Sequence, residues 1–269
     1  PLSTNAHGMR DQEYALDKPK GTVRMALLGK SYEMGWGVRN EEVMEQVAED
    51  RLNAELSAET GLTYEMLNFS VGGYSIVQYV ELAEETLPGF RPDVVFVTTH
   101  AGEGSRVVAN ILKLYNRGTS LTAPLQAFID QAAVTRDMEY AEQKRRLDAL
   151  ETAIVRWGYA RMLEAFKGTG TTPVWVFVPR TMGHTNSIEG QDENPSEYAK
   201  WSAVAREAGF TNVWNLSGVF DSYDTLLDIQ LAEWDTHPNA LGHRLLGERF
   251  HREILANQSL LTTGNTGTE

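Results

Sequence analysis

The sequence contains no cysteine. Disulfide bridges, thiolate catalysis and zinc–thiolate sites are therefore excluded. No apolar run approaches the roughly 20 residues that a transmembrane helix needs, so we expect no stable insertion into a membrane. Positive charge is also scarce, because 24 lysines and arginines against 37 aspartates and glutamates give a formal net charge of −13. Such an acidic surface repels phosphate backbones, which argues against nucleic acid as a partner.

The chain has 269 residues, of which 42% are hydrophobic. This suffices for one large α/β domain or two small ones. We find no internal repeat and no linker rich in proline, glycine or serine. The sequence therefore predicts a single domain over residues 1–258, with an irregular N-terminal arm at 1–20 and a disordered tail at 259–269.

Short apolar segments alternate with helical patterns along the chain. Five of them read as buried strands: 22–28, 62–70, 93–99, 173–178 and 213–216. This alternation predicts a five-stranded parallel sheet, doubly wound, with helices on both faces in an α/β/α sandwich. Residues 104–170 show no strand pattern and predict a helical insertion or lid, with one long helical pattern over 138–167. A helix over 77–87 is expected to stop near Pro88-Gly89, and the last helix is expected over 239–256, with Pro238 at its start.

Parallel sheets place their sites at the carboxyl ends of the strands. At these ends stand the hydroxyl of Ser31, the glycine pair ending at Gly73, His100, and the segment with Asp235 and His237. A serine hydroxyl needs a base such as a neutral imidazole, and a carboxylate on the other ring nitrogen orients that imidazole. Backbone N–H groups then stabilise the oxyanion. These residue types favour nucleophilic acyl transfer.

Three blocks in this order resemble the SGNH/GDSL hydrolase family: Gly29-Lys30-Ser31, residues 68–75 (NFSVGGYS) and residues 234–243 (WDTHPNALGH). The opening Gly8-Met9-Arg10-Asp11 and residues 216–220 (LSGVF) are similar to one branch of it. The resemblance spans roughly residues 7–255 and implies the flavodoxin-like SGNH architecture. It also implies Ser31 as nucleophile, His237 as base and Asp235 as acid, with an oxyanion hole formed by the N–H groups of Ser31 and Gly73.

The sequence departs from the family pattern at three points. Lys30 stands where the family usually has aspartate. Gly102, followed by Glu103, stands where the family usually has the asparagine that donates a third hydrogen bond to the oxyanion. Loss of one such donor costs on the order of 10²–10³-fold in rate. The acid and base are also separated by one residue, where many members have two.

Several further residues are candidates for substrate contact. His100 is expected either to donate to the oxyanion or to form a polar loop pair with Glu103, and Glu103 alternatively binds a substrate hydroxyl. Trp36 and Trp234 flank the supposed site, and the loop over 180–186 offers Arg180 and His184. Glu233 is the alternative acid, and His243 is expected on the surface or in the core of the last helix. We expect no cofactor and no metal site, because no third ligand follows His100 and Glu103 at regular spacing.

The sequence thus predicts a serine esterase or O-acyltransferase acting on a small, acetyl-like ester, for which the resemblance implies a carbohydrate as one substrate class. Members with a similar N-terminal arm imply a location outside the cytoplasm. A catalytically impaired domain that serves as a binding or scaffold module is the alternative, motivated by the departures at Lys30 and Gly102. A flavodoxin-like nucleotide binder fits less well, since Glu33 places a carboxylate where phosphate would bind.

Overall fold

A five-stranded sheet forms the centre of the computed structural model, which describes residues 3–181 and 193–261. All its strand pairs are parallel, and the order in space is β2-β1-β3-β4-β5. The chain starts in the middle and winds outward in both directions, as expected of a doubly wound sheet. Its strands are β1 (Thr22–Leu28), β2 (Thr63–Asn68), β3 (Val94–Thr99), β4 (Thr172–Phe177) and β5 (Asn212–Asn215).

Nine helices are present in the described part of the chain: α1 (Met44–Thr60), α2 (Ile76–Glu81), α3 (Leu87–Phe90), α4 (Glu103–Asn116), α5 (Ala123–Gln131), α6 (Tyr140–Asp148), α7 (Glu151–Phe166), α8 (Glu193–Ala208) and α9 (Ala240–Ala256). Because successive strand residues point to opposite faces, Ala26 and Leu28 of β1 join one core cluster and Met25 and Leu27 join another. The first cluster lies against α2, α4, α7 and α8, and the second against α1 and α9. The predicted α/β/α sandwich with a parallel sheet is confirmed.

The segment after β3 differs from the prediction in one respect. The helical pattern over 138–167 forms two helices, α6 and α7, that are interrupted at Ala149 and Leu150. The interruption lets α6 pack on α4, while α7 packs against α2, α4 and α8. A periodic apolar pattern does not reveal such a change in direction, because both helices bury the same kind of face.

Helix ends also differ from the prediction at two places. Pro88-Gly89 lies inside α3 instead of ending a helix, because proline is tolerated in a first helical turn that needs no N–H donor. A π-helical segment, Leu82–Thr86, joins α2 to α3. Pro238 ends a strand, and Asn239 caps α9 by accepting a hydrogen bond from the N–H of Gly242 at 3.1 Å.

A small antiparallel sheet that the sequence did not predict precedes α9. It pairs β6 (Gln230–Ala232) with β7 (Asp235–Pro238) and follows a 3₁₀ turn, Leu226–Ile229. The predicted disordered tail begins too early, since Gln258–Leu261 forms another 3₁₀ turn whose Leu261 is buried in the core. Residues 262–269 lie outside the described residues.

The N-terminal arm, residues 3–20, contains neither helix nor strand and lies along the edge of the sheet. The fully buried Arg24 of β1 holds it, donating to the carbonyls of Ala15 and Leu16, each at 2.8 Å. Asp11 of the arm accepts a hydrogen bond from the N–H of Asn68 at 2.8 Å. Within the two described ranges, no helix combines the length and the apolar character required to cross a lipid bilayer.

Candidate active site

The turn after β1 presents Ser31 at the carboxyl edge of the sheet. Gly29 makes this turn possible, because a Cβ there would lie 2.4 Å from Cβ of Glu33 and 2.6 Å from Oγ of Ser70. No real side chain fits at those distances. The turn continues with hydrogen bonds from the N–H of Met34 to the carbonyl of Lys30 and from that of Trp36 to the carbonyl of Ser31.

Asp235 and His237 come from β7, at the same edge. Side chains two residues apart in a strand point to the same side, which allows an acid and a base separated by a single residue to meet. His237 Nδ1 lies 2.6 Å from Oδ1 of Asp235, and His237 Nε2 lies 2.8 Å from Oγ of Ser31. The three side chains therefore form a continuous hydrogen-bonded chain from carboxylate to hydroxyl.

The carboxylate of Asp235 is held in its charged form. Burial raises its pKa, but hydrogen bonds from the ring and backbone N–H of His237 and from the Trp36 indole outweigh this effect and lower the pKa below its usual range. Glu233, the alternative acid, is exposed, and no hydrogen bond or ion pair joins it to His237 in the described residues. Asp235 is therefore the carboxylate that contacts the His237 ring in the described residues.

Two backbone N–H groups beside Ser31 are available to a ligand. Within residues 3–181 and 193–261, the N–H groups of Ser31 and Gly73 have no protein acceptor. The loop after β2 lies close to the serine, since a Cβ on Gly72 would be 3.8 Å from Cβ of Ser31. Gly73 has φ +84°, a conformation that favours glycine, and Asn110 holds its carbonyl with a hydrogen bond of 3.1 Å.

Two buried pairs of side chains lie next to the serine. Lys30 contacts the carboxylate of Glu103, and His100 Nε2 lies 2.8 Å from Oε1 of Glu33. Burial alone would raise the pKa of Glu33, but the charge and hydrogen bond of His100 and the backbone N–H of Lys30 lower it to about 2. Burial lowers the pKa of Lys30, an effect that Glu103 opposes.

These pairs constrain the roles predicted for His100 and Glu103. Both ring nitrogens of His100 are closed to solvent, so neither reaches a substrate atom without movement. Glu103 is only 2% exposed and engaged by Lys30, so binding a substrate hydroxyl would require that pair to separate. Gly102 is exposed at the start of α4, and its N–H donates to Glu197 at 2.7 Å.

A small pocket of about 110 Å³ opens over Ser31 and His237. Tyr32, Arg106 and Arg180 line it. Arg180 was predicted to approach the site; Arg106 and Tyr32 were not. Arg106 lies one helical turn after Gly102. A helix predicted to start at Gly102 would have placed Arg106 on the same side of the helix as the site. His184, the other candidate in that loop, lies outside the described residues.

A larger groove of about 770 Å³ runs from Asp235 past Trp36, Arg39 and Leu231. Trp36 is 48% exposed, and its ring centroid lies 6.2 Å from that of His237. Trp234 is exposed as well. His243 of α9 is fully buried, and this burial lowers its pKa to about 4.

The N-terminal arm supports the loop that carries Trp36. Arg10 donates to the carbonyls of Met34, at 2.7 Å, and of Gly35 and Val38. The side chain is buried, so it fixes this loop from below. No cluster of three or more histidine, aspartate or glutamate side chains suited to a metal ion occurs in the described residues.

Comparison with known proteins shows a relationship at the level of structure. No family model matches the chain, and no curated protein matches its sequence. Among solved structures, the psychrotrophic esterase EstA from Pseudoalteromonas sp. matches with a TM-score of 0.52 at 11% identity, over 88% of this chain and 99% of that one. A protein from Desulfitobacterium hafniense assigned to the lipolytic G-D-S-L family gives 0.51 at 13%, over 86% and 98%. A variant of Axe2, an acetyl-xylooligosaccharide esterase from Geobacillus, gives 0.54 at 13%, over 86% and 93%. The chain therefore has the SGNH-hydrolase fold that its three sequence blocks predict.

Proposed function

We propose that this protein is a serine esterase that removes a small acyl group, such as acetyl, from a carbohydrate. The observation that carries this proposal is the hydrogen-bonded chain from Asp235 through His237 to Ser31. Such a chain at the carboxyl edge of a parallel sheet supplies a nucleophile, a base and an orienting acid. The esterase activity named for EstA and for Axe2, which share the fold, supports the same reaction class.

The geometry suggests the following sequence of steps. His237 takes the proton of Ser31 as Oγ attacks the ester carbonyl, and Asp235 stabilises the resulting imidazolium. The N–H groups of Ser31 and Gly73 donate to the oxyanion. His237 then returns the proton to the leaving alcohol, and a water molecule activated by His237 hydrolyses the acyl-enzyme.

The size of the pocket and the exposure of the side chains around it favour a small acyl ester of a carbohydrate. The pocket over Ser31, at about 110 Å³, fits an acetyl group and is too small for a long acyl chain. The groove at Asp235 offers the exposed face of Trp36 to the alcohol part, and aromatic faces suit sugar rings. The His237 and Asp235 side chains are 25% and 31% exposed, so water reaches the acyl-enzyme and hydrolysis is favoured over transfer to an acceptor.

Labelling with a fluorophosphonate probe tests the nucleophile. We expect the wild type to be labelled, Ser31→Ala to be unlabelled, and His237→Ala to react far more slowly. Ser105→Ala is the matched control, because Ser105 is an exposed serine on α4 outside the hydrogen-bonded chain. Asp235→Asn should lower kcat on the order of 10⁴-fold, because the amide favours the wrong tautomer of His237.

Release of acetate from acetylated xylo-oligosaccharides and from 4-nitrophenyl acetate tests the substrate class. Turnover of both, abolished by Ser31→Ala, would support the proposal. A folded wild type that is neither labelled nor active on any small ester would overturn it and favour a binding module that retains the fold.

A further inference from the structure

The oxyanion hole proposed above has two backbone donors and lacks a side-chain donor. Gly102 has no side chain to offer, and its N–H already donates to Glu197 Oε2 at 2.7 Å. Glu197 Oε2 also accepts a hydrogen bond from the indole of Trp201 at 2.8 Å, so the acceptor of the Gly102 N–H is itself held in place. A third donor from another element would stabilise the oxyanion further.

Arg180 approaches the space that a side chain at position 102 would fill. It follows β4, the neighbour of β3 in the sheet, so both loops end at the same edge. Nη1 of Arg180 lies 3.6 Å from the Cβ that a residue at Gly102 would have, and it donates to the carbonyl of Ala101 at 3.4 Å. Arg180 also lines the pocket that contains Ser31 and His237.

The other cations at the site are less suited to this task. Lys30 is buried in its ion pair with Glu103, and the ring nitrogens of His100 are closed to solvent. Arg106 lines the pocket from an exposed position on α4, with its backbone N–H bonded to the carbonyl of Gly102. Arg180 differs from Arg106 in that its guanidinium lies beside the position that a side chain at Gly102 would take, and it also lines the pocket.

We propose that Arg180 is a catalytic residue that donates the third hydrogen bond to the oxyanion, in place of the side chain that Gly102 lacks. This proposal rests on the esterase function above. When Ser31 Oγ bonds to the carbonyl carbon, the electron pair of the C=O double bond moves to its oxygen, which the guanidinium stabilises without giving up a proton. When the C=O bond re-forms, the bond to the alcohol oxygen breaks and His237 supplies the proton that this oxygen takes.

The test compares kcat and KM on 4-nitrophenyl acetate, a neutral ester that offers no anion for an arginine to anchor. We expect Arg180→Ala to lower kcat by about 10²–10³-fold and to change KM by less than about threefold. Arg180→Lys keeps the charge without the planar fork and should retain an intermediate kcat. Arg117→Ala, an exposed arginine at the far end of α4, is the control for loss of a positive charge.

A rescue variant separates catalysis from folding. Asparagine enters the left-handed region more readily than most residues, so we expect Gly102→Asn to cost less at φ +78° than most other substitutions. In the Arg180→Ala background it should restore kcat by about tenfold or more, because the amide returns a donor to the same space. Recovery of activity by a second substitution would show that the single variant was folded.

Three results would overturn the proposal. The first is a kcat of Arg180→Ala within threefold of that of an active wild type. The second is a rise in KM at constant kcat, which would assign Arg180 to substrate anchoring. The third combines two observations: Gly102→Asn leaves the low kcat of Arg180→Ala unchanged, and Arg180→Lys retains the wild-type kcat. That combination would show that a positive charge alone is sufficient. A wild type without turnover or labelling would instead overturn the proposed esterase function itself.

Discussion

Lys30 and Glu103, which lie 73 positions apart in the chain, form an ion pair next to the candidate nucleophile, with 5% and 2% of their side-chain surface exposed. Lys30 stands where SGNH/GDSL hydrolases usually have aspartate, and Glu103 follows the position of their asparagine. The charge that Lys30 brings to this position is therefore balanced by the carboxylate of Glu103, which links the two side chains.

This linkage predicts strongly non-additive substitutions. Lys30→Met alone leaves Glu103 buried without a partner, and breaking such a pair costs about 3–5 kcal/mol of the free energy of unfolding. The double variant Lys30→Met/Glu103→Leu removes both charges and should be much closer to the wild type. Urea unfolding of both single variants and the double variant measures the coupling. Additive effects would show that the two side chains do not depend on each other.

Trp36 is expected to act on the carbohydrate part of the substrate. Trp36→Ala removes an aromatic face from the groove, and such contacts contribute about 0.5–1.5 kcal/mol, so KM for acetylated xylo-oligosaccharides should rise about two- to tenfold. Trp36→Phe keeps a ring and should retain most of the affinity. The same variants assayed on 4-nitrophenyl acetate provide the control, because that ester does not extend along the groove. An equal KM change on both substrates would contradict a sugar-binding role.

Arg10 is predicted to be a positioning residue for the loop over 34–38. Arg10→Ala leaves the carbonyls of Met34, Gly35 and Val38 without their donor, so we expect a loss of about 1.5–3 kcal/mol in the free energy of unfolding. Because the loop carries Trp36, the KM for the carbohydrate ester should rise together with this loss.

Two variants make this prediction specific. Arg10→Lys keeps one charged donor and should recover part of both effects. Arg145→Ala removes an exposed arginine that pairs with Glu142, and it should cost less than about 1 kcal/mol. Thermal unfolding and the two kinetic constants of all three variants are the measurements. Destabilisation by Arg10→Ala without any change in KM would reduce Arg10 to a purely structural residue.

The contact between the arm and α1 predicts a pH dependence of stability. Burial raises the pKa of Asp11 to about 6 and that of Glu49 to about 7, and the buried Glu45 nearby also has a raised pKa. These carboxyl groups lose their protons at lower pH in the unfolded chain, at about pH 4. Their stabilising contribution to the free energy of unfolding is therefore fully present below about pH 4, and it is lost as the pH rises to about 7.

Unfolding temperatures at pH 5 and pH 8 test this dependence. The wild type should unfold at a lower temperature at pH 8, and Glu49→Gln, which imitates the protonated side chain, should show a smaller difference. Glu33 has the opposite effect on stability, because its pKa is lowered from 4.5 to about 2. Its stabilising contribution is present above about pH 4.5 and is lost only as the pH falls below that value. The same pH 5 to pH 8 difference in Glu49→Gln as in the wild type would contradict the role of Glu49.

The sequence by itself determined the layer architecture and the chemistry-bearing positions. The runs over 22–28 and 93–99 are mostly apolar and alternate with helical patterns along the chain. This alternation predicts strands that are buried on both faces of a parallel sheet. Since the carboxyl ends of parallel strands share one edge, Ser31 and His237 were expected to meet there. Both conclusions depend on local patterns that each segment carries alone.

Only the tertiary structure decided which residues became neighbours across that edge. The strand order places β3 beside β1 and β4 beside β3, which brings Glu103 to Lys30 and Arg180 to Gly102. The extended conformation of β7, fixed by pairing with β6, lets Asp235 reach His237 across a single residue. No local periodicity encodes these distances, because contacts between distant segments depend on packing and strand pairing.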